Sequence, residues 1–99
     1  MTPIFKANGV YLGFIQNNFL FSRDGLPLGW IEGNFAWDTS GKFRGVLSEH
    51  AGHSYILLNK LAIPPLPKSP KVLPANVILP SPEPNIIARM LPLGWVDAF

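Results

Sequence analysis

From Pro3 to about Asn59 the apolar residues alternate with polar ones in short runs, punctuated by Gly, Asn, Asp and Ser. Alternation of period two marks half-buried β-strands. In the run Leu12 to Gln16 it puts Leu12, Phe14 and Gln16 on one side and Gly13 and Ile15 on the other. The breaks carry hairpin chemistry. Asn8-Gly9, Asp24-Gly25 and Ser40-Gly41 suit positive φ, and Asn17-Asn18 and Gly33-Asn34 serve the turns between them. The pattern predicts an up-and-down antiparallel meander.

The runs are copies of one another. Gly13-Phe14-Ile15-Gln16-Asn17-Asn18-Phe19-Leu20-Phe21 matches Gly29-Trp30-Ile31-Glu32-Gly33-Asn34-Phe35-Ala36-Trp37 without a gap, at an offset of 16 residues. Gly9, Gly25 and Gly41 keep that offset, as do Leu12 and Leu28. Gly45-Val46-Leu47-Ser48 opens a third copy, which loosens between His50 and Ser54 and predicts a lengthened turn there. Leu91-Pro92-Leu93-Gly94-Trp95-Val96-Asp97 resembles Leu26-Pro27-Leu28-Gly29-Trp30-Ile31-Glu32 and begins a fourth copy. Ile4 to Gly9 aligns with Leu20 to Gly25 and so supplies a second half-copy. Half-copies at the two ends predict a ring in which the N- and C-terminal strands pair, removing exposed sheet edges. The expected fold is all-β: eight strands in four two-stranded petals, with a seven-to-nine-stranded barrel as the fallback.

The chain is similar to the four-fold beta flower proteins. The resemblance rests on Gly9-Val10-Tyr11-Leu12-Gly13-Phe14-Ile15, on Leu26 to Glu32 with Trp37-Asp38, and on Leu93-Gly94-Trp95-Val96. It covers the repeats but not the proline-rich stretch between them. It implies a small bacterial domain with a closed, pseudo-four-fold β structure. It implies no catalytic residues.

Residues 60–92 break the repeat and hold nine of the 11 prolines. Proline removes ladder donors, so extended, polyproline-like backbone is expected from Pro64 to Pro74. Ile63, Leu66, Val72, Leu73, Val77, Ile78 and Leu79 make this stretch too apolar for a free linker. It is expected to wrap the β core and bury them. Ser81, Pro82 and Pro84 suit the first turn of a short helix that Ile86 to Met90 would complete before Pro92. The chain is therefore read as one domain: petals over 1–59, an arm over 60–92, and a closing strand over 93–99. Pro64-Pro65-Leu66-Pro67 also has the spacing of a polyproline ligand, with Lys68 and Lys71 one place early for the basic residue such ligands carry.

With 99 residues, one domain fits the length. A hydrophobic share of 47% against 14% charged residues excludes wholesale disorder, and the absence of Cys excludes disulfides and cysteine metal sites. The net charge of +2 comes from eight basic residues scattered along the chain, without the clustering that nucleic acid demands. They are expected on a solvated surface, with no nucleic-acid partner. No apolar run reaches membrane-spanning length and no secretory signal is evident, so no membrane partner and a cytoplasmic location are the default expectations.

Candidate chemistry is sparse. Gly13, Gly29, Gly45 and Gly94 share a repeat position and are expected where petals converge or bend. Three residues on lie Gln16, Glu32, Ser48 and Asp97; four-fold closure would gather them in a ring, with Glu32 facing Asp97 and able to hold a hard cation. Trp30 and Trp95, equivalent to Phe14, are expected in the core or as walls of such a site. His50 and His53, near Glu49, Ser48 and Ser54, offer two metal ligands or a hydrolytic histidine, but no third His exists. The leading expectation is a non-enzymatic binding or assembly module. A protein partner or a second copy would dock on the proline-rich arm, and no cofactor is called for. Small-ligand or cation binding at the axis is the alternative, and a hydrolase using His50 or His53 ranks last.

Overall fold

The computed structural model describes residues 1–99. Its eight strands run in chain order: β1 (Thr2–Phe5), β2 (Tyr11–Gln16), β3 (Phe19–Ser22), β4 (Pro27–Glu32), β5 (Phe35–Asp38), β6 (Phe43–His50), β7 (His53–Asn59) and β8 (Trp95–Asp97). Each pairs antiparallel with the next, forming a flat disc of 36 × 35 × 17 Å. There is no helix, and so none long and apolar enough to cross a membrane.

The repeat appears as a periodic distortion. The β1–β2, β3–β4 and β5–β6 ladders slip after Ile4, Leu20 and Ala36, each 16 residues after the last. The unmatched residues opposite the slips are Leu12, Leu28 and Arg44. A bulge bends the strand and increases its twist, so three bulges at one repeat position curl the meander into a barrel. Close approach accompanies each bend. A Cβ on Gly13 would lie 1.9 Å from the Phe21 carbonyl oxygen, and one on Gly45 would lie 2.5 Å from that of Leu57.

The bulges also correct the simple alternation. Leu12 packs with Ile15 against the inner cluster of Ile4, Leu20, Ile31, Ala36, Ile56 and Ala98. Phe14 and Gln16 belong to the opposite, outer face. The outer face carries aromatic pairs: Phe5 with Tyr11 at 5.9 Å, Phe14 stacked on Phe21 at 5.3 Å, and Trp37 edge-on to Phe43 at 5.5 Å. Burying each such side chain contributes roughly 1.5–3 kcal/mol.

Closure differs from the expected pairing of the two terminal strands. The barrel has seven strands, and β1 closes it by pairing parallel with β7 through Ile4–Ser54 and Phe5–Tyr55. Seven successive antiparallel neighbours leave the first and last strands running the same way, so the closing pair is parallel. The other half of the same β7 edge takes β8, through Leu57–Asp97, Leu58–Val96 and Asn59–Trp95. The two terminal strands thus lie end to end along β7 rather than side by side. Asp97 joins them, its Oδ1 accepting the Ala7 amide at 2.9 Å. Ala98 and Phe99 pack on the inner cluster. Arg44, at the third bulge, donates to the Ala98 carbonyl and covers the Phe99 ring at 4.3 Å.

Two turns depart from expectation. His50 and His53 are paired across a tight two-residue turn, Ala51-Gly52, with φ of 51° and 80°. The third copy has longer strands rather than a longer turn. Gly94 has φ of 89°, the value of the turn glycines Gly9 and Gly41, and does not reproduce the Gly13 position.

Residues 63–92 contain no regular element, and the helix expected over Ile86 to Met90 does not form. Its donors go elsewhere: the Ile86 and Arg89 amides bond the carbonyls of Gly9 and Ala7. This stretch crosses the three turn glycines in reverse order. The Lys68 amide bonds Gly41, Val77 and Leu79 touch Gly25, and the Ile86 amide bonds Gly9. At Gly41 and Gly9 the arm's carbonyl oxygens sit where a Cβ would be, 1.8 and 2.0 Å from it, so these turns admit only glycine under the strap. Most of the apolar residues expected to be buried are not: Ile63 is 95% exposed and Val72 93%, while Val77 is half-buried and, further on, Ile86 and Leu91 pack against Phe5, Tyr11, Tyr55 and Leu57. The arm meets the disc with its backbone, its cations and a few apolar side chains such as Ile86 and Leu91, and its other large apolar side chains point away.

Candidate functional site

The polar repeat position does not assemble around the axis. Gln16, Glu32 and Asp97 all engage other chain segments, and the reason lies in the bulges. The slip at Leu12 leaves Gln16 in phase with the outward Phe14, and the slip at Leu28 does the same for Glu32 and the outer-face Trp30. Gln16 meets the arm as a strand would, its Nε2 donating to the Ile78 carbonyl at 3.2 Å and its Oε1 accepting the Ile78 amide at 3.3 Å. Glu32 is clamped by Lys68 at 2.9 Å and Lys71 at 3.1 Å. Hydrogen bonds from Lys68 and then Lys71 hold its carboxyl down to about 2. Asp97 ties β8 to Ala7, and Ser48 stands half-buried opposite Tyr55. The position is an anchoring row for the arm and the C-terminus, not a cation ring. No group of three or more His, Cys, Asp or Glu side chains comes together.

The two clamping lysines do more than neutralise Glu32. Lys68 lies 5.2 Å over the Trp37 ring and Lys71 5.7 Å over Trp30. Arg89 covers Tyr55 at 5.0 Å, Arg23 covers Tyr11 at 6.0 Å, and Arg44 covers Phe99. Five of the eight basic side chains therefore sit on aromatic faces, where the ring quadrupole attracts them. This corrects the expectation of a merely solvated set. Sequence spacing could not show it, because Lys68 and Trp37 meet only when the arm returns over the third turn. Trp30 is 1% exposed under this cover and lines neither of the two cavities that flank the arm.

Two other acid–base groups are tuned by their settings. Burial pushes the Asp38 carboxyl up, but the Ser40 hydroxyl, the Lys42 and Ser40 amides and Arg44 outweigh it and hold it below its ordinary value. This carboxylate closes the third turn, where Ser22 closes the second and Asn59 opens the arm. Burial raises the Tyr11 phenol, Glu83 adds to the rise, and Arg23 opposes it.

Two cavities flank the arm. An apolar cleft of about 460 Å³ is lined by Phe35, Phe43, Val46, Leu57, Trp95 and the arm's Ile63, so Trp95 does wall a cavity, though not one on the axis. The second, of about 510 Å³, lies between the β6–β7 hairpin and the arm and includes His50, His53, Tyr55 and Arg89. His53 packs edge-on to Phe5 at 5.3 Å. Ser48 faces Tyr55 and Ser54 faces Glu49 across the ladder, so neither serine is paired in register with a histidine.

Among curated proteins and among solved structures, none matches the chain. Family comparison is decisive where those are silent. The model of the 4-fold beta flower protein family matches residues 2–97, taking in the three bulged copies, the strap and the closing strand together. The chain belongs to the 4-fold beta flower protein family.

Proposed function

We propose that the protein is a non-enzymatic assembly module whose proline-rich arm docks on a second copy of the chain. The observation that carries this reading is the outward side of the arm. Between Leu61 and Leu93 it holds ten large apolar side chains that are more than a third exposed, among them Ile63, Leu66, Val72, Ile87 and Met90. Exposed apolar surface on this scale in a 99-residue chain marks an interaction surface. The same chain offers a receptor in the apolar cleft beside β6 and β7, lined by Phe35, Phe43, Val46 and Trp95. A surface carrying both projecting side chains and a complementary cleft is self-complementary, as a two-fold dimer requires. The prolines restrict the arm before docking and so lower the ordering cost of association.

Light scattering on a sizing column across rising concentration tests this. Association is expected, and Val72→Asp with Leu66→Asp should return the chain to a monomer that still melts cooperatively, at the Tm the parent shows when dilute. A strict monomer at the highest attainable concentration contradicts the reading.

A further inference from the structure

The second cavity contains an unresolved charge. The Arg89 amide bonds the Ala7 carbonyl at 2.8 Å, which anchors the arm's backbone beside the β6–β7 hairpin. The guanidinium lies on the Tyr55 ring. That contact meets the face of the cation but leaves its N–H donors unused. Nε and Nη1 are shielded from solvent and have no hydrogen-bond partner, and none of the three ion pairs in the structure involves Arg89. Those two nitrogens are closed to a ligand in the cavity, but Nη2 is outside the shielded pair and makes no hydrogen bond, so it is the donor a ligand can reach. A partly buried cation with an idle donor favours an anion beside it.

The surroundings suit an anion. The residues lining the cavity include Asn85, His50 and His53 as polar donors, and no Asp or Glu. The volume of about 510 Å³ exceeds what a bare ion fills and falls in the range of small-molecule sites. Tyr55 and the arm's Ile86 and Ile87 supply apolar wall for the rest of a ligand.

We propose that the cavity between the β6–β7 hairpin and the arm binds a compact molecule bearing an oxyanion, phosphate or carboxylate, with Arg89 as its principal partner and His50, His53 and Asn85 completing the recognition. A charged donor of this kind suits either oxyanion. Binding would also hold the arm against the hairpin, because the ligand bridges Arg89 on one and the histidines on the other. The site is separate from the apolar cleft invoked for assembly, so the two proposals fail independently.

The test is thermal melting of the intact chain in the presence of inorganic phosphate, and separately of succinate, against sodium chloride at equal ionic strength. Phosphate at ~10-fold above its Kd should raise Tm by roughly 6–11 °C, and the more effective anion identifies the source. Arg89→Met should abolish the rise. His50→Ala, at an exposed hairpin position, should fold normally and weaken binding several-fold, which keeps the test decisive if the Arg89 variant is unstable. Equal effects of both anions and chloride, or an undiminished rise in both variants, would overturn the proposal.

Discussion

The barrel and the arm are built on opposite terms. In the barrel, backbone donors are paired within ladders, side chains interlock inside and out, and one bulge geometry recurs at the same repeat position. The arm has no ladder of its own. It is held at separated points: Gly41, Glu32, Gln16, Gly9 and Ala7. The same 99 residues thus contain a cooperative unit and a strap. A contact of similar tightness should have different consequences in each, because barrel backbone cannot retreat while the strap can lift.

Matched glycine substitutions test that difference. In Gly13→Ala the new Cβ falls 1.9 Å from the Phe21 carbonyl, inside the ladder. The expected loss is about 3 kcal/mol or more, a drop in Tm above roughly 12 °C. In Gly41→Ala the Cβ falls 1.8 Å from the Lys68 carbonyl, but that oxygen belongs to the arm. Release of the strap and the positive φ together should cost about 1–2 kcal/mol, with the barrel's melt still cooperative. Equal losses by chemical denaturation would erase the distinction between the regions.

A smaller effect concerns the clamp on Glu32. Its folded-state value of about 2 lies below the ordinary 4.5, so the carboxylate favours the strapped state above pH 4.5 and stops doing so as pH falls toward about 2. The Lys68 and Lys71 amide resonances should shift through that window, while strand resonances of β2 and β3 stay fixed. Glu32→Gln should abolish the pH dependence without moving the barrel's Tm appreciably, since exposed ion pairs contribute little.

The barrel was legible because its information is local. Asn8-Gly9, Asp24-Gly25 and Ser40-Gly41 name their own turns, and a constant offset reveals the copies without any long-range contact. What escaped was set by geometry between distant segments. The bulges reverse the facing of Leu12 relative to Phe14, and that one-residue slip sends Gln16 and Glu32 outward rather than to the axis. A half-copy at each end does not disclose that β7 serves as the common edge for β1 and β8, which makes the closing pair parallel. In the arm, the apolar composition at Ile63 and Val72 points to burial, which the structure does not show. Composition could not reveal that lysine–tryptophan contacts and carbonyl–glycine contacts hold the strap, with those side chains left outside.

Native-state hydrogen exchange measures the difference between barrel and strap most directly. Amides within β2 to β7 should exchange only through global unfolding. The Lys68, Ile78, Ile86 and Arg89 amides, each bonded across to the disc, should exchange through openings a few kcal/mol cheaper and insensitive to Gly13→Ala. Exchange of those four amides at the global free energy would show that strap and barrel fold as one unit, contradicting the account.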